Sequence, residues 1–239
     1  MRKLFGKVFL PHTILPLCLT ACSMLCSYQA AKLLQFLFGF HNPYDLTLPF
    51  DVQTPFVPGW SWVYIASYIF WIYMYILAAR DSAKAACKLA VADFVGKMIC
   101  FVFFLAFPTT NVRPIVEGTG LTAILMRTIF RLDTPTNLFP SIHCFVAWLG
   151  MRSVLAAQNL KHKKVHCVIS VLGTLLVFAS TLFTKQHVVL DVLGGIAVVE
   201  IGLLAARFSP LTDLLLKWNE KFLQTKFGRF FENFLNPTC

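Results

Sequence analysis

Six apolar runs, at 14 to 39, 58 to 79, 87 to 107, 139 to 159, 165 to 184 and 187 to 207, dominate this chain. Each is close to the roughly 20 residues that carry a helix across about 30 Å of hydrocarbon. In a bilayer a helix satisfies its own backbone hydrogen bonds, whereas an open strand or loop does not. The runs therefore predict an all-α fold, an integral membrane bundle of six transmembrane helices, with 1 to 239 forming a single membrane domain. Composition agrees, since 57% of the 239 residues are hydrophobic and 13% are charged, against roughly 25% charged in an average soluble domain. A soluble globule, a disordered chain and a nucleic-acid binder built on exposed Lys/Arg clusters are excluded on that ground. The eight Cys contain no C-x-x-C pair and no Cys/His zinc spacing. Cys18, Cys22, Cys26, Cys87, Cys100, Cys144 and Cys167 read as small packing residues in apolar helices, and no metal or other cofactor is expected.

The net charge of +10 reports orientation first. Basic residues alternate between connections: Arg2, Lys3 and Lys7, then Arg80, Lys84 and Lys88, then Arg152, Lys161, Lys163 and Lys164, then Arg207, Lys217, Lys221, Lys226 and Arg229 on one side. Arg113, Arg127, Arg131 and Lys185 fall on the other, which makes fifteen against four. Cytoplasmic loops hold the excess, so both termini are expected inside and the long connection 108 to 138, with a short helix from Leu121 to Leu132, outside. The tail at about 210 to 235 sets Leu211, Leu215, Trp218 and Phe222 on one stripe and Lys217 and Lys221 on another, the pattern of a cytoplasmic interfacial helix. Leu19-Thr20-Ala21-Cys22 after the basic start matches a lipoprotein cleavage site, but apolar sequence runs on to Phe40 with no polar linker, so it reads as part of the first span.

Polar groups in lipid are costly, about 2.5 to 3.5 kcal/mol for a charge at the centre of a span, so their positions carry information. Three clusters fall on the expected outer face: 107 to 114, ending in Arg113-Pro114; 137 to 143, containing Pro140-Ser141-Ile142-His143; and 185 to 191, containing Lys185, His187 and Asp191. Pro140 suits the first turn of a helix, which would aim the free N–H groups around Ser141 and Ile142 at an anion. His143 lies within reach of that point. His187 and Asp191, four apart, are expected on one helix face about 5.4 Å apart, with the carboxylate holding one ring nitrogen and leaving the other as a base or nucleophile. Arg113 and Lys185 add fixed positive charge for phosphoryl oxygens.

Together, Arg113-Pro114, Pro140-Ser141-Ile142-His143 and His187 with Asp191 resemble the three-part signature of the type 2 phosphatidic acid phosphatase superfamily of membrane enzymes, over roughly 40 to 205. The family pattern reads KxxxxxxRP, PSGH and SRxxxxxHxxxD, and its fold is a six-helix membrane bundle. The resemblance implies His187 as the nucleophile that forms a phosphohistidine, Asp191 as its orienting partner, and His143 as the acid that protonates the leaving oxygen and then the base that activates water. It further implies that Arg113, Ser141 and the backbone after it hold the phosphoryl oxygens. Ala106 and Thr181 stand where the family has Lys and Arg, Lys185 is placed to replace the second, and Ile142 replaces the motif's glycine. That last change also resembles divergent branches such as the phosphosphingolipid synthases.

The expected function is thus metal-independent hydrolysis of a lipid phosphate monoester or diphosphate at the extracytoplasmic face. A lipid phosphotransferase and a non-enzymatic anion-binding membrane protein are the rival readings. Among the remaining polar residues, Asp93 and Lys97 are expected to neutralise each other within the third span, with Glu200 and Lys32 as candidates to join them. His162 and His166 read as solvated in a Lys-rich loop, and Arg127 and Arg131 face either an anionic headgroup or water.

Overall fold

The computed structural model describes residues 9 to 38 and 43 to 235. Arg2, Lys3 and Lys7, and the last residue of the first run at 39, lie outside the described residues. The fold is mostly helical, with almost no strand. Its main helices are α1 (Pro11–Phe38), α2 (Ser61–Ala79), α3 (Ala83–Ala106), α4 (Leu121–Leu132), α5 (Ile142–Ala156), α6 (Lys163–Phe183), α7 (Val189–Phe208), α8 (Leu211–Gln224) and α9 (Lys226–Leu235). Among the described residues five helices are long and apolar enough to cross a membrane: α1, α2 with the turn before it, α3, α6 and α7.

The fourth run differs. Its helix, α5, has 15 residues, about 22 Å at 1.5 Å per residue, which is short of the hydrocarbon thickness. Both ends have a local cause. Pro140 precedes the helix instead of opening it, and Ser141 is the cap, its Oγ accepting from Cys144 N at 3.2 Å. At the far end the backbone N–H groups of Gln158 and Asn159 donate to Asp81 Oδ1, at 2.7 and 2.5 Å, and draw the chain out of the helix.

The surface is inverted relative to a soluble protein. Ile65, Ile69, Ile72, Val168, Leu172, Leu175 and Ile201 project outward from the long helices, while Ser23, Ser67, Asp93, Lys97, Ser170, Thr174 and Ser180 are buried. Such long apolar helices with an apolar exterior point to a membrane protein. The Asp93–Lys97 pair is buried, with N···O 2.9 Å. Ser23 and Tyr75 donate to the two Asp93 oxygens, and Lys97 donates to Thr20 O. Glu200 and Lys32 do not join it. Glu200 pairs with Arg152 and accepts from Trp148 Nε1, and Lys32 lies over the Tyr28 ring.

The helices are tied together at two chemically different ends. At one, Asp81 holds the 158 to 159 turn and Lys84 meets Asp213. At the other, Val57 N donates to Phe183 O, Thr109 Oγ1 accepts from Leu138 and Phe139, and a two-residue parallel ladder joins Tyr44–Asp45 to Thr109–Thr110. The tail is two helices broken at Thr225, whose hydroxyl accepts from Gly228 N, instead of a single one. Its inward stripe is Thr212, Leu215 and Asn219, with Asn219 donating to His12 O, whereas Leu211 and Trp218 are exposed.

Candidate active site

His187 does not sit on a helix. It precedes α7, whose N-cap is Val188, and the chain reaches it through a turn in which Lys185 adopts a positive φ of 54°. The His187 and Gln186 N–H groups both donate to Thr181 O, at 3.1 and 3.0 Å, which fixes that turn against the end of α6. Asp191, in the first turn of α7, accepts on Oδ2 from both Val188 N (3.0 Å) and His187 Nδ1 (3.1 Å). The four-residue spacing therefore works as a helix cap with an imidazole added to it. Nδ1 is engaged, and the ring's Nε2 takes no hydrogen bond among the described residues.

The same carboxylate residue anchors the second histidine. Asp191 O accepts from Ser141 N at 3.0 Å, so the cap of α5 is locked to the first turn of α7. His143, one residue inside α5, thereby faces His187 with ring centroids 5.7 Å apart and planes tilted by 55°. Its ring stacks on Tyr64 at 4.6 Å and meets Trp71 and Tyr68 edge-on at 5.0 and 5.8 Å. The Tyr68 hydroxyl lies 3.3 Å from His143 Nε2. Both histidines line a cavity of about 250 Å³, and His187 also borders a second one of about 600 Å³ on the side of Asn111, Asp51 and Lys185.

The two predicted cations are close by but committed to the fold. Arg113 donates through Nη1 to the Asp133 and Phe130 carbonyls and through Nη2 to Gln186 Oε1 (2.6 Å), with its guanidinium over the Phe130 ring. Lys185 Nζ donates to the Asp51 and Thr54 carbonyls, where it closes the short helix Pro49–Gln53. Burial lowers the pKa of both groups. Neither lines the cavity between the imidazoles. Ala106 is exposed at the end of α3, and Thr181 is buried with its carbonyl spent on the His187 turn.

Asp133 stands at the site with no motif in the sequence to mark it. It follows α4, accepts from Tyr28 at 2.8 Å and Tyr64 at 2.9 Å, and lines the cavity shared by the two histidines. Burial alone would raise its carboxyl, but the His143 ring and the two phenols outweigh that and hold it below the usual carboxylate range. Asp51 is a second such residue, accepting from Val189 N at 2.9 Å and so pinning the start of α7. Around these groups, Asn111 Oδ1, Arg113 Nε, Gln186 Nε2 and Asp191 Oδ1 are buried without a partner among the described residues. Among the described residues no group of three His, Cys, Asp or Glu could hold a metal ion. His162 is exposed, and His166 instead meets the Tyr73 hydroxyl at 2.5 Å. Arg127 is bound to the Val116 and Gly118 carbonyls and Arg131 is exposed.

Comparison with family models, with curated proteins and with solved structures finds no match to this chain.

Proposed function

We propose that this chain is a six-span membrane enzyme of the type 2 phosphatidic acid phosphatase kind, which transfers the phosphoryl group of a lipid phosphate through a phosphohistidine. One observation carries the reading: two imidazoles, one from α5 and one from the turn before α7, line one cavity with ring centroids 5.7 Å apart, and a buried carboxylate orients one of them. That cavity is of about 250 Å³, and a phosphoryl group in it would meet both rings together.

The steps follow from the proton positions. His187 keeps a proton on Nδ1, shared with Asp191, and attacks phosphorus through the Nε2 lone pair. As the ester P–O bond breaks, His143 gives its proton to the leaving lipid oxygen. His143 then takes a proton from water as the water oxygen attacks phosphorus, the P–N bond breaks and its electron pair returns to His187. The first N–H groups of α5 and the fields of Arg113 and Lys185 offset the phosphoryl charge. In this reading the termini and the interfacial tail are cytoplasmic, the catalytic end is extracytoplasmic, and the short α5 completes six spans.

A second reading replaces water with a lipid alcohol. The shelter of the site favours it, since His143 is 9% and His187 7% exposed. Phosphate release by purified enzyme given one lipid phosphate and no acceptor separates the two. His187→Ala is expected to abolish turnover, with the protein still eluting as a folded species in detergent, and turnover by the unaltered chain is expected to persist in excess chelator. Retained turnover in the variant would falsify the assignment.

A further inference from the structure

The cavity between the imidazoles has walls that a phosphatase reading alone does not use. Besides His143 and His187 they carry the rings of Tyr28, Tyr68 and Trp71 and the carboxylate of Asp133, and no Lys or Arg lines the space. A phosphate monoester brings close to two negative charges, yet the charged side chain on this wall is an acid. Asp133 is held ionised and in place, each oxygen accepting from a tyrosine, Tyr28 or Tyr64. Aromatic faces with an anion beside them attract organic cations, through the ring quadrupole and through simple charge. Two cations of the chain already respond to this field: Lys32, whose Nζ lies 4.6 Å from the centroid of Tyr28, and Arg113.

We infer that this cavity receives a zwitterionic headgroup of the phosphocholine type, its phosphoryl group between His143 and His187 and its trimethylammonium among Tyr28, Tyr68, Trp71 and Asp133. The inference rests on the reading of the two histidines as a phosphoryl-transfer pair and narrows the substrate to headgroups with a fixed positive charge. A quaternary ammonium suits the walls better than a primary one. Its methyl groups need no acceptors and gain from contact with the aromatic rings and from the charge of Asp133. The size also fits a headgroup and not a whole lipid: about 250 Å³ is below the roughly 300 to 1,000 Å³ of sites for drug-sized ligands. The acyl chains would lie outside, against the apolar helix faces.

The test is equilibrium binding of radiolabelled phosphocholine to the full chain in detergent, competed with inorganic phosphate. Phosphocholine is expected to bind at least about tenfold more tightly than phosphate, the gain of a desolvated cation–aromatic contact. Asp133→Asn and Trp71→Leu should each remove that margin while phosphate affinity stays within about twofold. Tyr28→Phe, which keeps the ring and loses one phenol, should retain most of it. Equal affinity for the two probes, no measurable phosphocholine binding, or a preference that survives both Asp133→Asn and Trp71→Leu overturns the inference. If Asp133→Asn does not fold, Trp71→Leu decides. Because the readout needs no turnover, it is independent of the enzymatic reading. A phosphocholine preference in a chain that turns over no lipid phosphate leaves the headgroup site standing, and cleavage of phosphatidate without that preference removes it.

Discussion

Asp191 does three jobs with one residue. Its Oδ2 fixes the His187 ring and closes the first turn of α7, and its carbonyl holds the Ser141 cap of α5. Only the first of these depends on charge. Asparagine in its place can still accept from Val188 N and still offers its carbonyl to Ser141, but its amide can also donate to Nδ1 and so shift the ring proton to Nε2, the atom that must be unprotonated to attack. Asp191→Asn is therefore expected to lower turnover by about 10³- to 10⁴-fold, the size seen when a histidine loses the carboxylate that sets its tautomer. Substrate affinity should hardly change, because the carboxylate does not face the headgroup. Measured rates within a few-fold of the parent would show that Asp191 is a helix cap and nothing more.

The pairing of α5 with α7 converts that residue chemistry into a site. Gly195 makes the pairing close: a Cβ there would stand 2.7 Å from Ser141 O and 3.2 Å from Phe145 N, both backbone atoms that cannot turn aside. Gly195→Ala should force the two helices apart, cost about 1 to 3 kcal/mol as an overpacked contact, and slow turnover by separating His143 from His187. Thermal unfolding in detergent and the rate should fall together, while Gly59→Ala, where a Cβ meets nothing within 4 Å, should change neither. Unaltered stability and rate in Gly195→Ala would rule out this account of the helix contact. The same pairing marks the limit of what can be read from residues in order. Apolar length located the long helices to within a few residues, because hydrophobicity and backbone satisfaction act locally in lipid. It overextended α5, since the stop signals there are Ser141 as a cap and Asp81, which is 77 residues from the Gln158 N–H it binds. The contact of His187 with Asp191 was legible from their spacing, although it forms as a helix cap and not between two residues of one helix face. Asp133 was not, because its meaning comes from Tyr28 and Tyr64, which reach it from α1 and α2. Arg113 and Lys185 were legible as cations, but not as donors to loop carbonyls, since a carbonyl partner leaves no trace in side-chain identity.

At the scale of the molecule, the two ends of the bundle divide the work. One end gathers Lys88, Arg152 and Arg207 with Asp81 and Glu200 around an open cavity of about 280 Å³, and the tail helices α8 and α9 follow directly from it. The other end holds the two histidines behind loops that fold over them. The short α5 links these facts. A helix of about 22 Å cannot reach both headgroup layers, so if its Ala156 end lies at the basic face, its His143 end stops within the membrane, below the opposite surface. Non-helical backbone at that depth is tolerable where it lines a polar cavity, and Asn137 and Leu138 do so. The proposed site would then be reached laterally by a lipid headgroup more readily than by a soluble phosphate ester. This arrangement requires one orientation. With Glu117→Cys and Lys161→Cys, both exposed positions, placed singly in a chain whose own cysteines are replaced, an impermeant thiol reagent should label the first in intact cells and the second only after permeabilisation. The reverse pattern would put the histidine cavity on the cytoplasmic side, and any lipid phosphate that it serves would then be one presented by the inner leaflet.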